Sequence, residues 1–153
     1  MIKNLFVCVI LIFIIAVSTG CSKNEILTHY NNIIQSTGKG TLTSNYELNG
    51  DREFGVDDYV GTYIAQYENY SGIEYVFGGT SIEHESGSEV TITCKINTTS
   101  GSAQLILLSG SDKPVVLCKN NKVYKVTLKI QDGSNYIGIK GDNFTGNIEL
   151  NIK

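Results

Sequence analysis

The sequence predicts an all-β protein: an antiparallel two-sheet β-sandwich, of jelly-roll or Greek-key type, behind an N-terminal leader. Three observations predict it. Beyond about Thr41 the apolar residues recur with a period of two, as in Val90, Ile92, Cys94 and Ile96, in Tyr124, Val126, Leu128 and Ile130, and in Ile148, Leu150 and Ile152. That is the pattern of strands with one buried and one wet face. Turn residues punctuate these runs, among them Asn49-Gly50-Asp51, Ser86-Gly87-Ser88, Ser109-Gly110-Ser111-Asp112, Asn120-Asn121 and Gly141-Asp142-Asn143. Their spacing leaves no length for crossover helices, so the strands must pair antiparallel.

The elements follow in chain order. Leu5 to Val17 is an unbroken apolar run, preceded by Lys3 and followed by Ser18, Thr19 and Gly20. Thirteen residues rise only about 20 Å as a helix, short of the ~30 Å hydrocarbon core, so residues 1–20 read as a cleaved secretory leader rather than a membrane span. The stretch Val17-Ser18-Thr19-Gly20-Cys21 resembles the lipobox of bacterial lipoproteins. That resemblance implies diacylglycerol on Cys21, the lipidation site, and a mature chain anchored at the extracytoplasmic face of the cell membrane. Ser18 stands where the family usually has Leu.

Residues 21–40 are polar and read as the lipidated N-terminus and a tether. Ile26, Leu27, Tyr30, Ile33 and Ile34 form a helical stripe that predicts a short helix between Lys23 and Gln35. The β domain then occupies 41–153. Strands are expected at 41–48, 59–67, 73–77, 80–84, 89–97, 103–109, 114–118, 122–130 and 135–140, with a terminal one at 146–152.

An internal echo runs through this domain. Glu68-Asn69-Tyr70-Ser71-Gly72 resembles Asp142-Asn143-Phe144-Thr145-Gly146, an acid, Asn, aromatic, hydroxyl, Gly series leading into a strand. It reads as a turn in which Asn or Gly takes positive φ and the ring caps the domain's end. Two copies do not make a repeat protein. Together with Phe54-Gly55-Val56-Asp57-Asp58-Tyr59-Val60-Gly61-Thr62-Tyr63, Phe77-Gly78-Gly79-Thr80 and Asn135-Tyr136-Ile137-Gly138, the echoed turns look like those of small lipoproteins of low-GC Gram-positive bacteria. The resemblance spans about residues 50–152. It implies the anchor and a β-sandwich, and no activity, because that group is uncharacterised.

Charge and residue types narrow the function classes. The leader holds one of the twelve basic residues and none of the fifteen acidic ones, so the mature chain carries a formal charge of about −4. No basic cluster stands out along the sequence, and nucleic acid is not an expected partner. His29 and His84 are the only histidines, and neither sits beside a nucleophile motif such as Gly-x-Ser-x-Gly, so no catalytic residue is assigned and an enzyme is not expected. Glu83-His84-Glu85 on a strand would send His84 to the face opposite its neighbours. Asp51, Glu53, Asp57 and Asp58 form the densest acidic patch but match no calcium-loop spacing. No metal or cofactor is expected.

What remains is recognition. Tyr59, Gly61, Tyr63, Ala65 and Tyr67 share one strand parity, so the rings are either an exposed platform or a large-small core filling. Cys94 and Cys118 are the cysteines left to the mature domain after Cys21, and they are compatible with either free thiols or a disulfide. The expected function is a non-catalytic binding module for a glycan or an envelope protein. Tyr70 and Phe144 of the echoed turns are its candidate ligand contacts, on the ground that loops concentrate binding residues. A structural or accessory role in an envelope complex is the alternative, with a hydrolase behind it.

Overall fold

The computed structural model describes residues 41–153. The expected leader, the expected lipidation site Cys21, His29 and the expected short helix lie outside the described residues. Six strands follow a single 3-10 turn at Asn45–Glu47: β1 (Gly50–Phe54), β2 (Gly61–Ser81), β3 (Glu89–Ser109), β4 (Val115–Lys119), β5 (Lys122–Lys129) and β6 (Gly133–Ile152). All pair antiparallel in one sheet of order β1-β2-β6-β3-β4, with β5 also on β3.

The described residues are therefore all-β and antiparallel, as the period of two requires, but they form fewer and longer strands than expected. The runs at 59–67, 73–77 and 80–84 fuse into β2, those at 89–97 and 103–109 into β3, and those at 135–140 and 146–152 into β6. No strand forms over 41–48. The short β1 arises instead where Asn49-Gly50-Asp51 reads as a turn.

The fusion has a local cause. Pairing of β2 with β6 shifts register between Tyr67 and Tyr70 and again before Gly72, and pairing of β3 with β6 shifts between Thr98 and Ser102. At these shifts Asn69 (φ 49°), Asn143 (φ 47°) and Gly101 (φ 69°) take left-handed conformations. Such residues bend a strand without ending its ladder.

The bends fold the sheet back on itself. Ser81 pairs with Gly133 at the start of β6, whereas Ile92, near the start of β3, pairs with Ile152 at its end. A straight twenty-residue β6 would hold these ends roughly 60 Å apart. The seven residues between β2 and β3 reach at most about 29 Å, so β6 must double over. Gly78 donates its N–H to Asp58 O at 2.7 Å, which ties the second half of β2 to the segment that leads into its first half.

Two rows of residues face each other across the fold. Tyr63, Leu150 and Cys94 align across the first halves of β2 and β3 and the second half of β6. Glu74, Ile139, Leu105 and Cys118 align across the opposing halves and β4. Tyr63 Oη donates to Glu74 Oε1 at 2.5 Å although eleven residues separate them on one strand. Between the rows lies the core, with Phe77, Ile92, Ile96, Leu105, Ile139, Phe144, Ile148 and Leu150 all buried.

Candidate functional site

The echoed turns meet in space. Tyr70 pairs with Phe144 across β2 and β6, and the hydrogen bonds are reciprocal: Asn69 N donates to Thr145 Oγ1 at 3.0 Å, and Asn143 N donates to Ser71 Oγ at 2.8 Å. The repeated sequence thus builds one two-strand hinge. Its aromatic residues turn inwards. Phe144 is fully buried and packs on Tyr67 at 5.0 Å, so it presents no surface to a ligand. Tyr70 is half-buried against Tyr67 at 5.2 Å. Phe144 is therefore a core cap rather than a ligand contact, whereas Tyr70 keeps part of its ring at the surface.

The tyrosine ladder is interior as well. Tyr59, Tyr63, Ala65 and Tyr67 are all buried, and the large-small alternation fills the space between the sheet's halves. Glu74, 1 % exposed, accepts hydrogen bonds from the Tyr63 and Tyr67 hydroxyls and from Asn49 Nδ2 at 2.9 Å. Burial pushes both tyrosine hydroxyls well above the ordinary phenol range, and the neighbouring Glu74 reinforces the shift. Arg52 lies beside this group, donating to Val76 O at 3.0 Å and stacking on Phe54 at 4.6 Å. Every carboxylate partner here is a donor from the fold itself, so the arrangement is a structural clamp that holds 45–54 against β2.

The acidic patch divides between two roles. Asp57 holds the loops at one end of the molecule, accepting from Tyr59 N and from Ser86 N at 2.9 Å each. His84 sits in the β2–β3 loop rather than on a strand, its ring edge-on to Tyr59 at 4.3 Å. Its two nitrogens, the Tyr59 hydroxyl and Ser86 Oγ are buried without a hydrogen-bond partner. A shallow groove of about 430 Å³ opens beside Ser86, lined by Val56, Val60 and Ile152. Among the described residues no three His, Cys, Asp or Glu side chains converge to hold a metal ion. Asp51 and Glu53 are exposed on β1, the acidic edge of the sheet.

The opposite edge carries the feature that linear inspection missed. Among the described residues, β4 and β5 pair with β3 alone, which leaves their outer backbone edges unpaired. Asn120 (φ 27°) and Asn121 (φ 35°) join the two strands across the bend of β3, with Asn120 Oδ1 accepting from Ala103 N and Asn121 Oδ1 from Thr98 N, each at 2.7 Å. Residues 113–129 hold Lys113, Lys119, Lys122, Lys125 and Lys129, all exposed, and no acidic residue. Val115, Val116 and Val123 are exposed among them, Val123 to 73 %. Two to five uncharged residues separate successive lysines in sequence, and only the strand pairing brings them to one edge.

No family model matches the chain, and no curated protein matches it. Among solved structures the chain is similar to PliG of Aeromonas hydrophila, a periplasmic lysozyme inhibitor of g-type lysozyme, at 12 % identity and a TM-score of 0.38, covering 66 % of this chain and 92 % of that one.

Proposed function

We propose that the protein is a lipoprotein, anchored through diacylglycerol on Cys21 at the extracytoplasmic face of the cell membrane, and that its β domain is a non-catalytic binding module. The resemblance of Val17 to Cys21 to a lipobox supports the anchor. If the anchor reading is right, Cys21→Ser abolishes metabolic labelling with a fatty acid and leaves the chain unprocessed or released. A mutant that stays lipid-labelled removes the anchor from the proposal.

The basic β4–β5 edge carries the binding reading. Its partner is an extended, acidic segment of an envelope protein. An unpaired strand edge offers main-chain hydrogen bonds to an added strand, the exposed valines offer apolar contacts, and five exposed lysines with no acidic residue among 113–129 select acidic side chains. The same lysines repel a second copy of this edge, which keeps β5 from pairing with itself.

The test uses the full-length protein in detergent with a synthetic peptide of alternating Glu and Val, beside an alternating Lys and Val control, an isolated anionic wall polymer and a hydrolase panel. The acidic peptide should bind in a salt-sensitive manner and protect amides of 122–129 from exchange. Lys122→Glu/Lys125→Glu/Lys129→Glu should weaken binding at least about tenfold, on the order of 1.4 kcal/mol. Binding indifferent to the charge reversal, preference for the wall polymer, or turnover of any substrate would overturn the reading.

A further inference from the structure

Cys94 and Cys118 are both buried in the core, and both are free thiols. They stand 24 residues apart on different strands, β3 and β4, and on opposite halves of the folded sheet. The pairing brings them together. Cys94 lies in the row with Leu150 and Tyr63, and Cys118 in the row with Leu105, Ile139 and Glu74. The Tyr63 to Glu74 hydrogen bond shows that these rows face each other, and the two thiols, at the other end of the same pair of rows, are close enough to shift one another's ionisation.

We infer that Cys94 and Cys118 are the two halves of an intramolecular disulfide, formed by exchange with a protein or small-molecule disulfide. The order of events follows from the site. Cys118 is the more accessible thiol, at 7 % against 0 % exposure, and lies beside Lys122. The neighbouring Cys94 thiol favours the Cys118 thiolate, while the Cys118 sulfur together with burial holds Cys94 protonated. Cys118 loses its proton and attacks one sulfur of the incoming disulfide, breaking that bond and releasing a thiolate. Cys94 then gives up its proton and displaces the second thiolate from the mixed disulfide. Two protons and two electrons leave the protein, and the reagent becomes two thiols.

The bridge spans the core between β3's first half and β4, so it fastens the β4 part of the basic edge. The inference rests on the pairing rows and stands whether or not that edge binds an acidic segment.

The test uses the full chain carrying Cys8→Ser and Cys21→Ser, purified in detergent and equilibrated with oxidised and reduced glutathione. Thiols are trapped with N-ethylmaleimide after denaturation, and intact mass is measured. The expected product is monomeric, about 2 Da lighter, free of maleimide, and higher in Tm by on the order of 10 °C. Cys94→Ser should trap glutathione on Cys118, whereas Cys118→Ser should leave Cys94 almost unmodified. Two maleimide adducts at every glutathione ratio, or glutathione on both cysteines of the parent, would overturn the inference.

Discussion

Glu74 shows how this core sustains a buried acid. A carboxylate removed from water demands donors, and here two hydroxyls and an amide supply them from three positions on the chain. Glu74→Ala leaves the Tyr63 and Tyr67 hydroxyls facing a cavity and should cost about 3 kcal/mol or more, while Tyr67→Phe, which removes one donor, should cost about 1–2 kcal/mol. Urea denaturation measures both, and equal midpoints for wild type and Glu74→Ala would refute the clamp. The tyrosines also set an alkaline limit. Burial raises the hydroxyls of Tyr59, Tyr63, Tyr67 and Tyr70 above their ordinary value, Tyr70 to about 12. In the unfolded chain they ionise near pH 10. The unfolded state therefore binds fewer protons than the native state above pH 10, and stability falls as pH rises. The slope should be about 1.4 kcal/mol per pH unit for each of the fully buried Tyr63 and Tyr67. Unfolding free energies between pH 9 and 11.5 should bend downwards, and a flat profile would mean that the rings are solvated.

At the scale of elements, strand faces and strand ends differ in legibility. Alternation identifies the buried face directly: Ile92 is inaccessible, while its neighbour Thr91 is half-exposed and bonds Thr127 across the outer face at 2.9 Å. Ile92→Asp should unfold the domain and Thr91→Asp should be tolerated, as thermal melts would show. Leu128, half-buried on the edge strand β5, should be the milder of the two core substitutions to Asp. Strand ends were not legible, because the residues that bend β2, β3 and β6 are those that elsewhere terminate strands. Asn69-Tyr70-Ser71-Gly72 has the composition of a hairpin turn, yet its partner is the matching turn of β6, and pairing resumes beyond both. A local pattern cannot tell a bend from an end, since the difference lies in where the next strand finds its partner. Likewise β1 was hidden by Asn49-Gly50-Asp51, and the lysine edge by the uncharged residues between its charges. The bend itself is testable. A Cβ on Gly101 would collide with the Asn143 carbonyl, and the left-handed φ is costly for other residues. Gly101→Ala should lose roughly 2–3 kcal/mol, whereas Asn143→Gly should change stability by no more than a few tenths.

For the whole molecule, the decisive fact is that the three longest strands belong to both halves of the folded sheet. β6 pairs with β2 and β3 from Gly133 to Ile152, so neither half owns a complete set of strands. The first half of β2 cannot bury Tyr63 and Tyr67 until its second half brings Glu74 back over them. Contacts within each half join distant parts of the sequence, as where Gly61 at the start of β2 pairs with Ile152 at the end of β6. Loop closure must precede these contacts, which places folding in the slow range of β proteins, milliseconds to seconds. The same architecture dictates cooperativity. A domain of two separable sheets could lose one and keep the other, but here opening either half exposes the aromatic core of both. Urea unfolding should then be a single transition, with far-ultraviolet dichroism of the strands and near-ultraviolet dichroism of the buried tyrosines falling together. Substitutions on either side of the bend, Ile96→Ala in one half and Leu105→Ala in the other, should shift both signals equally, each by about 2–5 kcal/mol. Should the two signals separate in either variant, the halves are independent units and the sheet is not the cooperative structure its pairing implies.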